Sequence, residues 1–178
     1  MRIVHTLLLF VCGNAFGGQL YDLHVGASWT YVVSAKQETT ITNNVVDVRE
    51  INGNRWYKLI EYGDTYWVRN TDKGQVEAVN FFNSDPSSSS KVEESIIFKF
   101  PAKVGEKWWL DELSITYQGI KVLQLPAGEF KCHEYLFNLE GEGNYSLSCV
   151  AEGIGVVYNE SVFDGVHKKI AKLIKYSE

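Results

Sequence analysis

Turn signals cut this chain into short runs. Asn52-Gly53, Gly63-Asp64, Thr71-Asp72-Lys73-Gly74 and Glu140-Gly141-Glu142-Gly143 each separate stretches rich in aromatic and β-branched residues. Asn-Gly is the strongest signal of the set, because both central residues of a tight hairpin turn need positive φ. The runs between turns have the length of strands and are short for helices. Composition agrees: 38 Val, Ile and Thr residues stand against 8 Ala and one Met, a balance that suits pleated surfaces. The expected fold is therefore all-β, a meander of consecutive antiparallel hairpins.

A chain of 178 residues with 45% hydrophobic and 22% charged residues is enough for one domain with a real core and short for two. Its 24 aromatic residues exclude a disordered chain, which lacks the apolar surface to offset ordering entropy. A formal net charge of −5 repels polyanions on average and argues against generic nucleic-acid binding.

Residues 1–17 have the layout of a secretory signal peptide, leaving residues 18–178 as a single β-rich domain. Arg2 is followed by the apolar stretch Thr6 to Cys12 and by the small residues of Ala15-Phe16-Gly17. The alternative is a hydrophobic first strand, although the segment carries no alternation. It is about half the length of a membrane span. Lipidation at Cys12 is disfavoured by Val11, which stands where a lipoprotein signal has a small residue. The expected destination is outside the cytoplasm, with no transmembrane span in the mature protein.

Export would leave Cys132 and Cys149 in an oxidising compartment. Phe130 to Leu139 and Asn144 to Ala151 read as the arms of a hairpin. If Glu140-Gly141 is a two-residue loop, Leu139 faces Glu142, and the same register sets Cys132 directly opposite Cys149 at a non-hydrogen-bonded site, within disulfide range. The alternative is two buried free thiols. With no CxxC motif, such a bond would be structural.

The only low-complexity stretch, Asn83 to Ser90, reads as a mobile surface loop. Trp29 to Ser34, Thr39 to Ile51, Arg55 to Tyr62, Thr65 to Arg69, Gln75 to Phe82, Glu94 to Phe100, Lys107 to Leu110, Ser114 to Leu125 and Gly155 to Glu160 complete the strand signals. In the closing run His167 to Tyr176, Ile170, Leu173 and Ile174 have helical spacing. A closing strand is nonetheless expected, because a meander otherwise ends on an unpaired edge.

Gly26-Ala27-Ser28-Trp29-Thr30-Tyr31, Phe100-Pro101-Ala102-Lys103-Val104-Gly105-Glu106-Lys107-Trp108, Pro126-Ala127-Gly128-Glu129-Phe130-Lys131-Cys132 and Glu152-Gly153-Ile154-Gly155-Val156-Val157 together resemble the exported bacterial domains called DUF3108-like, including the TapB family. The resemblance spans Leu20 to Tyr176. It implies a long, curled antiparallel sheet, a spiral β-roll or open barrel-like sheet, in an exported bacterial protein of the periplasm or the medium, and it implies no reaction. The same motifs also have a plain structural reading as turns that deliver strands and core aromatics.

No catalytic residues stand out. His24, His133 and His167 have no Gly-x-Ser-x-Gly elbow to serve. Cys132 and His133 are adjacent on a strand and point to opposite faces, which opposes joint metal ligation. Phosphate-loop, dinucleotide and calcium-loop signatures are missing from the sequence. The acids Glu93-Glu94, Asp111-Glu112, Glu140 and Glu142 fall at strand ends, where solvated charge is usual. A non-enzymatic role without cofactor or metal is expected. The favoured role is binding a hydrophobic ligand, glycan or other envelope component on a concave aromatic face carrying Trp56, Trp67, Trp108 and Trp109. Because adjacent strand residues face opposite sides, one of Trp108 and Trp109 is expected to pack under a loop or to be partly exposed unless both faces are covered. Docking of an envelope protein is the alternative, and a hydrolase with an unrecognised site the weaker one. The basic run Lys168, Lys169, Lys172 and Lys175 reads as a solvated strand edge, or as a contact for anionic headgroups.

Overall fold

The computed structural model describes residues 19–34, 37–139, 143–163, 165 and 167–177. The expected signal peptide and the loop residues 140–142 lie outside the described residues. Among the described residues, twelve strands run in chain order: β1 (Ser28–Ser34), β2 (Glu38–Ile51), β3 (Asn54–Glu61), β4 (Asp64–Thr71), β5 (Gly74–Ala78), β6 (Glu94–Lys99), β7 (Lys107–Leu110), β8 (Leu113–Leu125), β9 (Gly128–Leu139), β10 (Tyr145–Ala151), β11 (Gly155–Phe163) and β12 (His167–Ser177). They form one antiparallel sheet in the order β6-β5-β4-β3-β2-β1-β12-β11-β10-β9-β8-β7. The all-β curled meander read from the sequence is the fold observed.

The closing run is a strand, paired with β1 on one side and β11 on the other. Backbone pairing on both sides outweighs its helical spacing, and its lysines lie on a central strand rather than on an edge. The sheet ends instead at β6 and β7, which face each other across a seam. Side chains bridge that seam: Trp108 Nε1 donates to Ile96 O at 3.0 Å, Tyr135 Oη donates to Lys99 O at 3.0 Å, and Lys99 pairs with Glu106. The result is a nearly closed barrel. Register shifts in β1/β12, β2/β3, β5/β6, β8/β9 and β10/β11 mark bulges, and bulges bend strands and increase their twist.

Asn52 (φ 51°) and Gly53 (φ 75°) form the expected two-residue turn, with Ile51 paired to Asn54. Tyr62 (φ 52°) and Gly63 (φ 95°) repeat it between β3 and β4. The strand expected over Gln75 to Phe82 is shorter. It ends at Ala78 and passes into a 3₁₀ turn, Val79–Phe81.

Cys132 and Cys149 are bonded, with Cα atoms 5.4 Å apart and both side chains buried. Their register differs from expectation. Cys149 lies opposite Glu134, and the last described pair of the hairpin is Asn138 with Tyr145, so the connection is longer than two residues. The offset is two residues. An even shift keeps both side chains on one face, so the cysteines meet diagonally and still bond.

Two cores flank the sheet. The main one fills much of the barrel interior, around Trp29, Tyr31, Leu59, Phe98, Ile115 and Tyr135. Residues 19–25 plug one end of the barrel: Leu20, Tyr21 and Leu23 are buried, and Tyr21 stacks on Phe98 with ring centroids 6.4 Å apart. Gly155 makes this possible, since a Cβ there would lie 2.3 Å from the Tyr21 ring and its φ is +105°. The second core lies on the opposite face of β2 to β5, where Ile51, Trp56, Trp67, Val76 and Ala78 pack together. The serine-rich segment covers it. Trp67 Nε1 donates to Ser84 O at 3.0 Å, Arg49 donates to Pro86 O at 2.9 Å, Lys58 pairs with Asp85 at 2.6 Å, and Asn52 donates to Ser88 O at 3.3 Å. The loop expected to be mobile is a pinned flap.

Candidate functional site

Barrel strands alternate inward and outward side chains. In β3, Trp56 and Lys58 point to the flap, while Leu59 and Glu61 line the interior. In β4, Trp67 faces the flap and Tyr66 and Val68 the interior. In β5, Val76 and Ala78 face the flap, which turns the polar residues Gln75 and Glu77 inward.

These inward residues wall a cavity of about 560 Å³, closed at the plugged end by Tyr21 and rimmed at the other by Tyr62, Tyr145, Phe163 and Lys169. Its deeper wall is apolar, with Leu59, Val68, Ile97, Phe98, Phe137 and Val156. One side carries a polar ladder from β10 and β11. Asn159 Nδ2 donates to Ser146 Oγ at 2.9 Å and to Ser148 Oγ at 3.0 Å, and Ser161 Oγ donates to Asn159 Oδ1 at 3.1 Å.

Across the cavity stand two carboxyls. Glu61 Oε1 accepts from Asn43 Nδ2 at 3.1 Å, and Asn43 Oδ1 accepts from the Tyr62 backbone N–H at 3.3 Å, which fixes this corner. Burial pushes the Glu61 carboxyl up to about 7, with the Glu77 charge adding to the rise and Lys169 opposing it. Burial, followed by the charge of Asp111, brings Glu77 up to about 6. Both acids thus prefer the neutral form well above the ordinary carboxylate range, as expected for carboxyls in a low-dielectric wall. Lys169 Nζ lies 4.2 Å from the Tyr62 ring centroid. Gln75 is 2% exposed, and its Nε2 has no hydrogen-bond partner.

None of the four tryptophans expected to form a binding face lines this cavity. Trp56 and Trp67 are fully buried under the flap, beneath the guanidinium groups of Arg69 and Arg49 at 5.2 and 5.1 Å. Trp108 closes the seam against Tyr135, and Trp109 is 51% exposed beside Lys107. The division of Trp108 and Trp109 between two faces follows the expected alternation. Tyrosines and phenylalanines supply the aromatic lining instead. Glu61, Gln75 and Glu77 do not stand out as site residues in the sequence, where only the polar and apolar alternation of β5 could have signalled them, and Lys169 stands out there only as one of a basic run.

The histidines stand apart. His133 is buried between Tyr117 Oη, 2.8 Å from Nδ1, and Glu152 Oε1, 3.1 Å from Nε2, with Phe100 packed on its ring. It does not line the cavity. His24 pairs with Asp22 at 3.6 Å, and the His167 side chain lies outside the described residues. Among the described residues, no group of three or more His, Cys, Asp or Glu could hold a metal ion. No helix among them is long and apolar enough to cross a membrane.

No family model matches the chain, and no curated protein matches it. Solved structures do. A Bacteroides fragilis protein described as exported and of YmcC-like fold superposes with a TM-score of 0.56, over 90% of this chain and 100% of its own, at 14% identity. A Parabacteroides distasonis protein described as a lipoprotein superposes with a TM-score of 0.50, over 90% of this chain and 99% of its own, at 9% identity. At such identities the likeness shows a shared fold.

Proposed function

We propose that this chain is an exported, non-enzymatic β-domain that holds an amphiphilic ligand inside its barrel. The carrying observation is the cavity itself. Small barrels normally fill their interior with side chains, and those that enclose open space use it for ligands. At about 560 Å³ the space falls within the ordinary range for small-molecule sites, and it has the usual make-up of a mostly apolar wall with a few placed polar groups. The hydroxyls of Ser146, Ser148 and Ser161 are engaged with Asn159 rather than with an imidazole, which favours holding a molecule over transforming it. Export is supported by the composition of residues 1–17 and by the descriptions of the two structures that share the fold. The motif resemblance to DUF3108-like and TapB-family domains supports the same placement.

A second reading, docking of an envelope protein, is favoured by the apolar side chains Val104, Trp109, Ile120 and Val122, all at least half exposed on or beside β7 and β8. Titration calorimetry with 1-decanol separates the two. The cavity account expects saturable one-to-one binding that is lost in Ser148→Trp and in Ser146→Phe, two substitutions that fill the space from different depths. Absence of binding by the native protein, or binding that survives both substitutions in folded protein, overturns it.

A further inference from the structure

We infer that the cavity, taken as the ligand site above, selects an amphiphile whose head carries an ammonium beside a hydrogen-bond acceptor. Glu61 on β3 and Glu77 on β5 face the same space from either side of β4. Among the described residues neither carboxyl has a cation within ion-pair distance, and Glu77 makes no hydrogen bond. Glu61 receives one, from Asn43. A carboxylate held in an apolar wall without a cation in ion-pair contact is costly, and a matching cation removes that cost.

The charge balance of the wall sets the sign of the ligand. Two acids face one lysine, so an anionic head meets net repulsion, and the serines and Asn159 of the opposite wall are already bonded to one another. A neutral head leaves both carboxyls as they are. An ammonium pairs with them. The rim already shows how it would be received, because Lys169 rests its own ammonium 4.2 Å from the centroid of the Tyr62 ring, the geometry of cation–π recognition. Tyr66 adds a second tyrosine ring to the cavity lining.

Gln75 supplies the second requirement. Its amide is buried in the same wall with an unpartnered Nε2, and an unsatisfied buried donor is a standing penalty that an acceptor on the ligand would remove. The apolar wall formed by Leu59, Val68, Ile97, Phe98, Phe137 and Val156 then receives the alkyl chain.

The test is calorimetry at pH 8 with four probes: decylamine, 1-decanol, decanoate and 2-amino-1-decanol. Decylamine should bind about tenfold more tightly than 1-decanol, the equivalent of one charge-assisted contact, with decanoate weakest. In the double substitution Glu61→Gln with Glu77→Gln, decylamine should fall to the affinity of 1-decanol, whose own binding stays and reports an intact fold. The added hydroxyl of 2-amino-1-decanol should improve on decylamine in the native protein and not in Gln75→Leu. If 1-decanol binds and decylamine binds no better, or if the double substitution keeps the preference, the head-group inference fails while the cavity account stands. If none of the four binds, both fail.

Discussion

Replacing Glu61 with glutamine should make the ligand-free protein more stable at pH 8 and leave it nearly unchanged at pH 4. In the unfolded chain this carboxyl loses its proton near 4.5, and in the folded protein burial beside Glu77 holds it up to about 7. Between those values the folded state keeps a proton that the unfolded state has released, so stability falls as pH rises through the window and stays lowered above it. The difference of about 2.5 pH units is worth about 3 kcal/mol at full effect. Glu61 keeps some surface toward the cavity, so screening reduces this to between about 1 and 3 kcal/mol. Glutamine retains an oxygen to accept the Asn43 bond, which confines the change to charge. For a domain of this size the gain amounts to a rise of about 3 to 9 °C in melting temperature. Paired urea titrations of the native and Glu61→Gln proteins at pH 4, 6 and 8 measure it. The same difference at all three pH values, or a loss of stability at pH 8, would refute the reasoning.

Other perturbations probe other parts of the account. Replacing Cys132 and Cys149 together with serine removes a link across a 17-residue separation and should cost about 3 kcal/mol; unchanged unfolding under non-reducing conditions would show that the bond contributes nothing. Asp85 is held below its ordinary value by Lys58 and Arg49, so its contribution is present at neutral pH and lost as pH falls through that lowered value. Asp85→Asn should therefore loosen the flap at pH 7 and raise acrylamide quenching of tryptophan fluorescence, whereas quenching equal to that of the native protein would mean the flap does not depend on this pair. Gly155→Ala should destabilise by about 2 kcal/mol or more, from positive φ and from collision with Tyr21; a chemical midpoint within error of the native one would remove the plug as a close-packed element.

The fold was legible because strand lengths and turn residues carry it. Asn52-Gly53 needs no tertiary context to bend, and it bends as expected. The closing strand was legible only through topology: Ile170, Leu173 and Ile174 have helical spacing, and what decides is that β1 and β11 each offer an unpaired edge. The cysteine register missed by two residues, since a loop length is not written in strand periodicity.

The site was less legible for a physical reason. A half-exposed strand turns its apolar residues inward, and by that rule Gln75 and Glu77 belong outside. Here the flap covers the outer face, so Val76 and Ala78 are satisfied there and the polar residues line the interior. The same inversion took Trp56 and Trp67 out of the expected binding face. Whether a surface is covered depends on where Asn83 to Ser90 folds back, and that is settled by Arg49, Lys58 and Trp67, which the sequence places far from it.

The most direct test of the ligand cavity is native mass spectrometry of the protein expressed with its own N-terminal segment, set beside the Ser148→Trp form and an unrelated exported control. The account predicts a discrete bound mass on the native protein at about one per chain, recovered as a small molecule in the organic extract and missing from the variant and the control. A native protein of bare polypeptide mass that also fails to take up added 1-decanol or decylamine would contradict it.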